Sequence, residues 1–242
     1  MATPFFLRIG ATALTDMPVT FCFVLTLYCT VRLSQAPTYR LAIITGLCLG
    51  AGLLCKYTMI FIYPLLLGMC IIQGALRRLL PYLGVVVLVS GSVLAVWLGY
   101  TAAVGILTAQ RDTLASHTRF ASMTNGGLRW KVGTSLLGLP SGLGTYSLPL
   151  LVVGGRRLLQ RKSQADLLVL LWIGAVFVPL VLTLPGPRYF LPAFPALALM
   201  MACGLGRVGE AAGRLILVAL LYCGGALYLF VDWYRQVHSL FV

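Results

Sequence analysis

Eight apolar stretches, separated by short polar segments, run through almost the whole of this chain and dictate its solvent. Hydrophobic residues make up 60% of it and charged residues only 10%. Mean hydropathy is +0.97. A soluble domain of 242 residues cannot hide that much apolar surface, because its surface grows nearly as fast as its volume. A bilayer can. The expected fold is therefore all-α, a polytopic transmembrane helix bundle of about eight spans forming one transmembrane domain over residues 1–242.

A helix rises 1.5 Å per residue, so roughly 20 apolar residues cross the hydrocarbon. The expected spans are residues 17–31, 41–55, 58–72, 79–101, 137–154, 167–184, 190–205 and 215–231. The pair 41–55 and 58–72 reads either as one long helix or as a tight hairpin broken at Lys56-Tyr57. Residues 102–135 form the one sizeable outer loop, and residues 110–120 within it suit a short interfacial helix.

The basic residues orient the bundle. Arg32, Arg40, Arg77, Arg78, Arg156, Arg157, Arg161, Lys162, Arg207 and Arg214 all fall on one face if the eight spans hold. The positive-inside rule makes that face cytoplasmic and places the protein in the plasma (inner) membrane as a multi-pass protein. The formal charge of +13 is then mostly topology. No basic module interleaved with aromatics is present, so nucleic acid is not an expected partner. The seven cysteines lie inside apolar spans without a CxxC. They read as small packing residues, not as a disulfide framework or a zinc site. No cofactor is evident, and the sequence is silent on a divalent metal. No secretory signal is visible; the start of the first span near Met17 leaves the N-terminus outside, which suits a remainder of a longer protein.

The opposite face holds the candidate chemistry. Asp16 stands at the mouth of the first span in Thr15-Asp16-Met17-Pro18, where a carboxylate caps a helix and can also face a polar cavity. Lys56 ends the glycine-rich span Gly46–Cys55 at the outer interface, as a snorkelling anchor or as a cation for a lipid phosphate. His117 lies in the outer loop, a surface histidine or a ligand contact. The strongest local pattern is Pro185-Gly186-Pro187-Arg188-Tyr189-Phe190-Leu191-Pro192-Ala193-Phe194-Pro195. Its prolines hold Arg188-Tyr189 at the mouth of a span, either as an interfacial belt pair or as a guanidinium that forks onto a phosphate.

Taken together, Thr15-Asp16-Met17-Pro18 before an apolar span, the segment Gly46–Lys56 ending in Cys-Lys-Tyr, and Arg188-Tyr189-xx-Pro192-xx-Pro195 resemble the membrane domain of the dolichyl-phosphate-mannose–protein mannosyltransferase-like family, which also takes in the bacterial aminoarabinose transferases. The resemblance spans roughly residues 1–205 and implies the GT-C architecture. It implies a glycosyltransferase that moves a sugar, with inversion, from a polyprenyl-phosphate carrier to an acceptor on the outer side: protein, lipid or glycan. It makes Asp16 the active-site carboxylate and suggests Lys56 and Arg188 as phosphate contacts; Tyr189 and His117 are substrate-contact candidates from the residues alone. Family members begin with a further span and an acidic outer loop, and none precedes Asp16 here. The resemblance thus implies either a fragment that needs an upstream segment for activity, or a base that comes from elsewhere in the chain. Two other readings stand beside it: a transporter or flippase of a lipid-linked solute, and a truncated, non-catalytic membrane remnant. Transporters carry charge at mid-membrane, often in broken helices and repeats. These spans are almost free of it at their centres.

Overall fold

A computed structural model describes residues 16–106, 132–133, 148–183 and 187–206, with the side chains of Asp16 and residues 182–183 and 187–189 left out. Seven α-helices make up the described part: α1 (Asp16–Gln35), α2 (Tyr39–Cys55), α3 (Ile62–Ile72), α4 (Leu76–Ala103), α5 (Leu148–Arg161), α6 (Gln164–Thr183) and α7 (Phe194–Leu205). A short 3-10 helix, Tyr57–Phe61, leads into α3, and another, Pro187–Ala193, leads into α7. No strand occurs among the described residues.

Three of the helices are long and apolar enough to cross a membrane: Met17–Gln35, Leu76–Ala103 and Gln164–Val181. Tyr39–Cys55, Tyr57–Ile72 and Phe190–Leu205 are apolar but shorter. Of the eight expected spans, the described residues thus show three as full-length helices and others as shorter apolar ones. The predicted span 215–231 and nearly all of the predicted outer loop 102–135, His117 included, lie outside the described residues. The predicted span 137–154 is seen only from Leu148, and its helix runs on through Arg156 and Arg157 to Arg161. That helix is amphipathic, with Leu150, Leu151, Gly154 and Leu158 turned inward. An apolarity criterion stops at the first arginine, whereas the backbone continues for as long as one face has a partner.

The segment around Lys56-Tyr57 is a reversal. Helix α2 stops at Cys55, Lys56 is extended, and its N–H still bonds the Gly52 carbonyl at 3.0 Å. The Lys56 carbonyl then accepts from Met59 N at 3.1 Å and starts the 3-10 turn. Helix α3 returns from there. The hairpin reading was the correct one, but its arms do not zip together, because α3 packs chiefly against α6.

Helix directions follow from which residues meet. Cys22 lies beside Cys55 and Cys29 beside Cys48, so α1 and α2 are antiparallel. Tyr39 packs on Tyr82 with ring centroids 4.9 Å apart, and a Cβ on Gly46 or Gly50 would touch Val89 or Val93. These pairs advance in step, so α2 and α4 run parallel and α3 must cross back between them. Phe23 stacks on Trp172 (6.0 Å), while Leu27 and Val31 share a cleft with Ala165 and Leu168. Helix α6 is therefore antiparallel to α1. The ends of α1 and α5 and the starts of α2, α4 and α6 consequently share one end of the bundle. That end carries Arg32, Arg40, Arg77, Arg78, Arg156, Arg157, Arg161 and Lys162, which were expected on one face. Arg207 and Arg214 lie outside the described residues.

Two polar devices organise this basic end. Ser163 and Asp166 form a reciprocal capping box at the start of α6: Ser163 N and Oγ donate to Asp166 Oδ2 (3.2 and 2.6 Å), and Asp166 N donates to Ser163 Oγ (3.2 Å). Arg161 Nε lies 3.5 Å from the same oxygen. Arg157 donates from Nη1 to the Cys203 carbonyl at 2.9 Å, placing a cation on the last turn of α7, where orphan carbonyls collect.

Candidate functional site

The opposite end of the bundle is where the sequence-predicted residues are found. Helix α1 begins there with Asp16, α2 ends there at Cys55 with Lys56 as its C-cap, and the Pro187–Ala193 helix begins there. Their relative depth can be read from three contacts. Trp172 donates its indole N–H to the Pro192 carbonyl (2.9 Å) and stacks on Phe23, so these residues share one level. Phe177, further towards the C-terminus of α6, stacks on Phe190 with ring centroids only 4.3 Å apart. The Pro187–Ala193 helix therefore runs antiparallel to α6 and alongside α1, in the same direction. From the shared level, Asp16 is seven residues outward on an α-helix, roughly 10 Å. Arg188 is four residues outward on a 3-10 helix, roughly 8 Å. Lys56 follows Cys55, the neighbour of Cys22, one residue further outward, and so sits about five residues deeper than Asp16, roughly 7 Å along the axis by the same rise.

The backbone positions of Asp16, Lys56 and Arg188 thus gather at one end, on three elements distant in sequence. Lys56 itself is half-buried and Tyr57 beside it is exposed. The side chains of Asp16, Arg188 and Tyr189 lie outside what the structure describes, as does His117 altogether.

The local sequence explains why the arginine-bearing segment is so tightly held. Phe190, Leu191 and Ala193 are completely buried, and Phe194 nearly so. Where the prolines were expected to give an extended entry, the backbone is a 3-10 helix from Pro187, and only residues 187–189 precede a segment that is packed into the bundle interior. Pro195 has no N–H, so the Pro192 carbonyl lacks its 3-10 donor three residues on, and the Trp172 indole supplies one. Residue-by-residue reading passed over Trp172. The signal was present, in two prolines three apart beside a mid-span tryptophan.

Within the helix middles the buried polar groups are hydroxyls, not charges. Thr26, Thr30 and Thr45 donate to the carbonyls of Cys22, Thr26 and Leu41 at 2.7–2.8 Å. Tyr63 Oη and Ser90 Oγ are 2.8 Å apart and tie α3 to α4. The cysteines are packing residues, as expected, yet they are also paired: the repeat of seven residues within α1 and within α2 places Cys22 and Cys29 opposite Cys55 and Cys48. Among the described residues no group of three or more histidine, cysteine or acidic side chains is placed to hold a metal ion.

Helix content, three membrane-length helices and a charge-polarised bundle define the class: a membrane-type helical protein. Within it, residues 1–107 match the sequence profile of the family described as dolichyl-phosphate-mannose-protein mannosyltransferase, so the resemblance drawn from the residues is shown over that stretch. The match takes in α1 to α4, with Asp16 and Lys56, and ends before Arg188. No curated protein matches the chain, and no solved structure does.

Proposed function

We propose that this chain carries the membrane site of a glycosyltransferase that takes a sugar from a polyprenyl-phosphate carrier and passes it to an acceptor on the outer face. What supports the reading is that the backbone positions of Asp16, Lys56 and Arg188 all lie at the bundle end opposite the basic loops. With the positive-inside rule, that end is the outer one.

Sugar transfer of this kind passes through an oxocarbenium-like state. The bond from the anomeric carbon to the phosphate oxygen breaks, its electron pair stays with the phosphate, and the acceptor oxygen bonds from the opposite face. The acceptor's proton must go somewhere. Asp16 serves as the carboxylate that takes it or that steadies the cationic sugar. Lys56 and Arg188 offset the charge left on the lipid phosphate, with Arg188 able to donate two parallel hydrogen bonds. Tyr189 stands beside it, and His117 comes from the outer loop. The acceptor is a protein, a lipid or a glycan. A transport pathway fits less well, since the described helix middles hold self-satisfied hydroxyls where a pathway needs mid-membrane charge.

The direct test is reconstitution of the protein, alone and with an upstream segment of the kind the resemblance implies, in bilayers with a radiolabelled polyprenyl-phosphate sugar and a mixed acceptor pool. Release of polyprenyl phosphate with label moving to an acceptor is the expected result. Flip of intact donor across the bilayer without bond cleavage would replace the enzyme reading with the flippase.

A further inference from the structure

The structure assigns to Trp172 the role of a positioning residue that sets Arg188 against Asp16, an inference that rests on the function proposed above. Trp172 sits in the middle of α6 and belongs to neither of the elements that carry those two residues. It nevertheless touches both. One face of its indole stacks on Phe23 of α1 at an interplanar angle of 20°, and its N–H reaches the Pro192 carbonyl at 2.9 Å.

Two features make this contact more than packing. First, Pro195 leaves the Pro192 carbonyl without its 3-10 donor, so the indole N–H satisfies a buried acceptor that its own helix cannot serve in that geometry. Second, the contact lies at the base of the arginine-bearing segment. Arg188 is one 3-10 turn beyond it, and the Phe177–Phe190 stack guides the segment along α6 in between. A hydrogen bond fixes both the height and the rotation of the segment, which apolar contacts alone do not, because dispersion is non-directional. A shift of about 1 Å in a group that holds a reacting phosphate is enough to cost much of its effect.

The experiment compares Trp172→Phe, which keeps a ring and loses the N–H, with Trp172→His, which restores a donor, in bilayer-reconstituted protein. Hydrogen exchange reads the pin directly. Amides of Phe190, Leu191, Ala193 and Phe194 should exchange about tenfold faster in Trp172→Phe, with residues 198–204 nearly unchanged, and Trp172→His should recover part of the protection. Steady-state kinetics read the consequence: the KM for the polyprenyl-phosphate sugar should rise about tenfold in Trp172→Phe, with kcat falling less and the KM for acceptor unmoved. Unchanged exchange at residues 190–194 overturns the assignment. So does faster exchange with unchanged KM, which would leave Trp172 as a purely structural pin. A wild-type protein that neither binds nor cleaves polyprenyl-phosphate sugar sinks the function proposed above instead, and the exchange data then report separately on whether the pin exists.

Discussion

The first four helices and the last three are held together by different kinds of contact. In α1–α4 the close approaches are mostly glycine against side chain: a Cβ on Gly50 would come 2.8 Å from the Cβ of Val93, and one on Gly52 would come 2.9 Å from the Met59 thioether, while one on Gly46 would meet both the Val89 Cβ and the Val86 carbonyl oxygen. In α5–α7 they are backbone against backbone. A Cβ on Gly154 would run into the Met200 carbonyl oxygen, and one on Gly204 would come 2.5 Å from the Leu150 carbonyl. Small residues at such crossings let transmembrane helices approach closely where no hydrophobic driving force separates protein from lipid. The first half can give by side-chain rotation only where the neighbour is flexible, as Met59 is at Gly52, while the crossing of α5 with α7 is closed by backbone and is further fixed by Arg157 on α7 and the capping box on α6. The candidate site is split between the two: Asp16 and Lys56 come from the first four helices and Arg188 from the segment between α6 and α7.

The sharpest way to break this contrast is to add a methyl group on each side of it. Gly154→Ala must separate two backbones and should cost at least the upper end of the roughly 1–3 kcal/mol typical of overpacking. Gly50→Ala meets the Cβ of Val93, which rotation about χ1 cannot move, but it gains helix propensity of about 1 kcal/mol and so should cost clearly less than Gly154→Ala. Thermal unfolding in detergent ranks the two; equal losses would erase the distinction.

Next in size are the site residues. Asp16→Asn should reduce turnover roughly a hundredfold or more, on the scale of a lost acid–base group. Folding should change little, since asparagine caps a helix about as well as aspartate. Turnover at the wild-type rate in a folded variant would reduce Asp16 to a cap. Arg188→Lys retains charge and loses the planar fork, so the KM for the lipid donor should rise about tenfold, the change expected for roughly 1.4 kcal/mol of lost differential binding. An equal rise in the acceptor KM would argue against a phosphate contact.

The smallest expected effect is at the basic end. Ser163→Ala removes one member of the capping box and should cost about 1 kcal/mol, read as faster amide exchange in the first turn of α6. Unchanged exchange would mean that Asp166 and the Arg161 contact hold that turn unaided.

Much of the bundle was legible in the residues. Long apolar runs mark α1, α4 and α6 because the requirement to satisfy every backbone group in lipid is a property of length and composition. The loop arginines predicted which helix ends share a face for the same reason: charge bias is local to each loop. Boundaries were read less well where amphipathicity replaced uniform apolarity, as in α5, whose arginines lie on a helix that continues beneath them. The break at Lys56-Tyr57 was visible as a break, but only its backbone geometry distinguishes a reversal from a kink.

The grouping of Asp16, Lys56 and Arg188 belongs to the other category. Each is identifiable in the sequence as a polar residue at the end of an apolar run, and each had an ordinary anchoring or capping role that fitted it as well. Their common placement depends on α1 being antiparallel to α2 and to α6, and on a 3-10 helix that follows α6 back along α1. These are relations between separate segments, that of α1 with α6 across well over a hundred residues, set by which side chains stack and which carbonyl needs a donor. Local patterns determine that a segment is a helix and where its charges fall. Only packing decides which ends meet, because that outcome is a comparison among all possible neighbours and no single segment contains it.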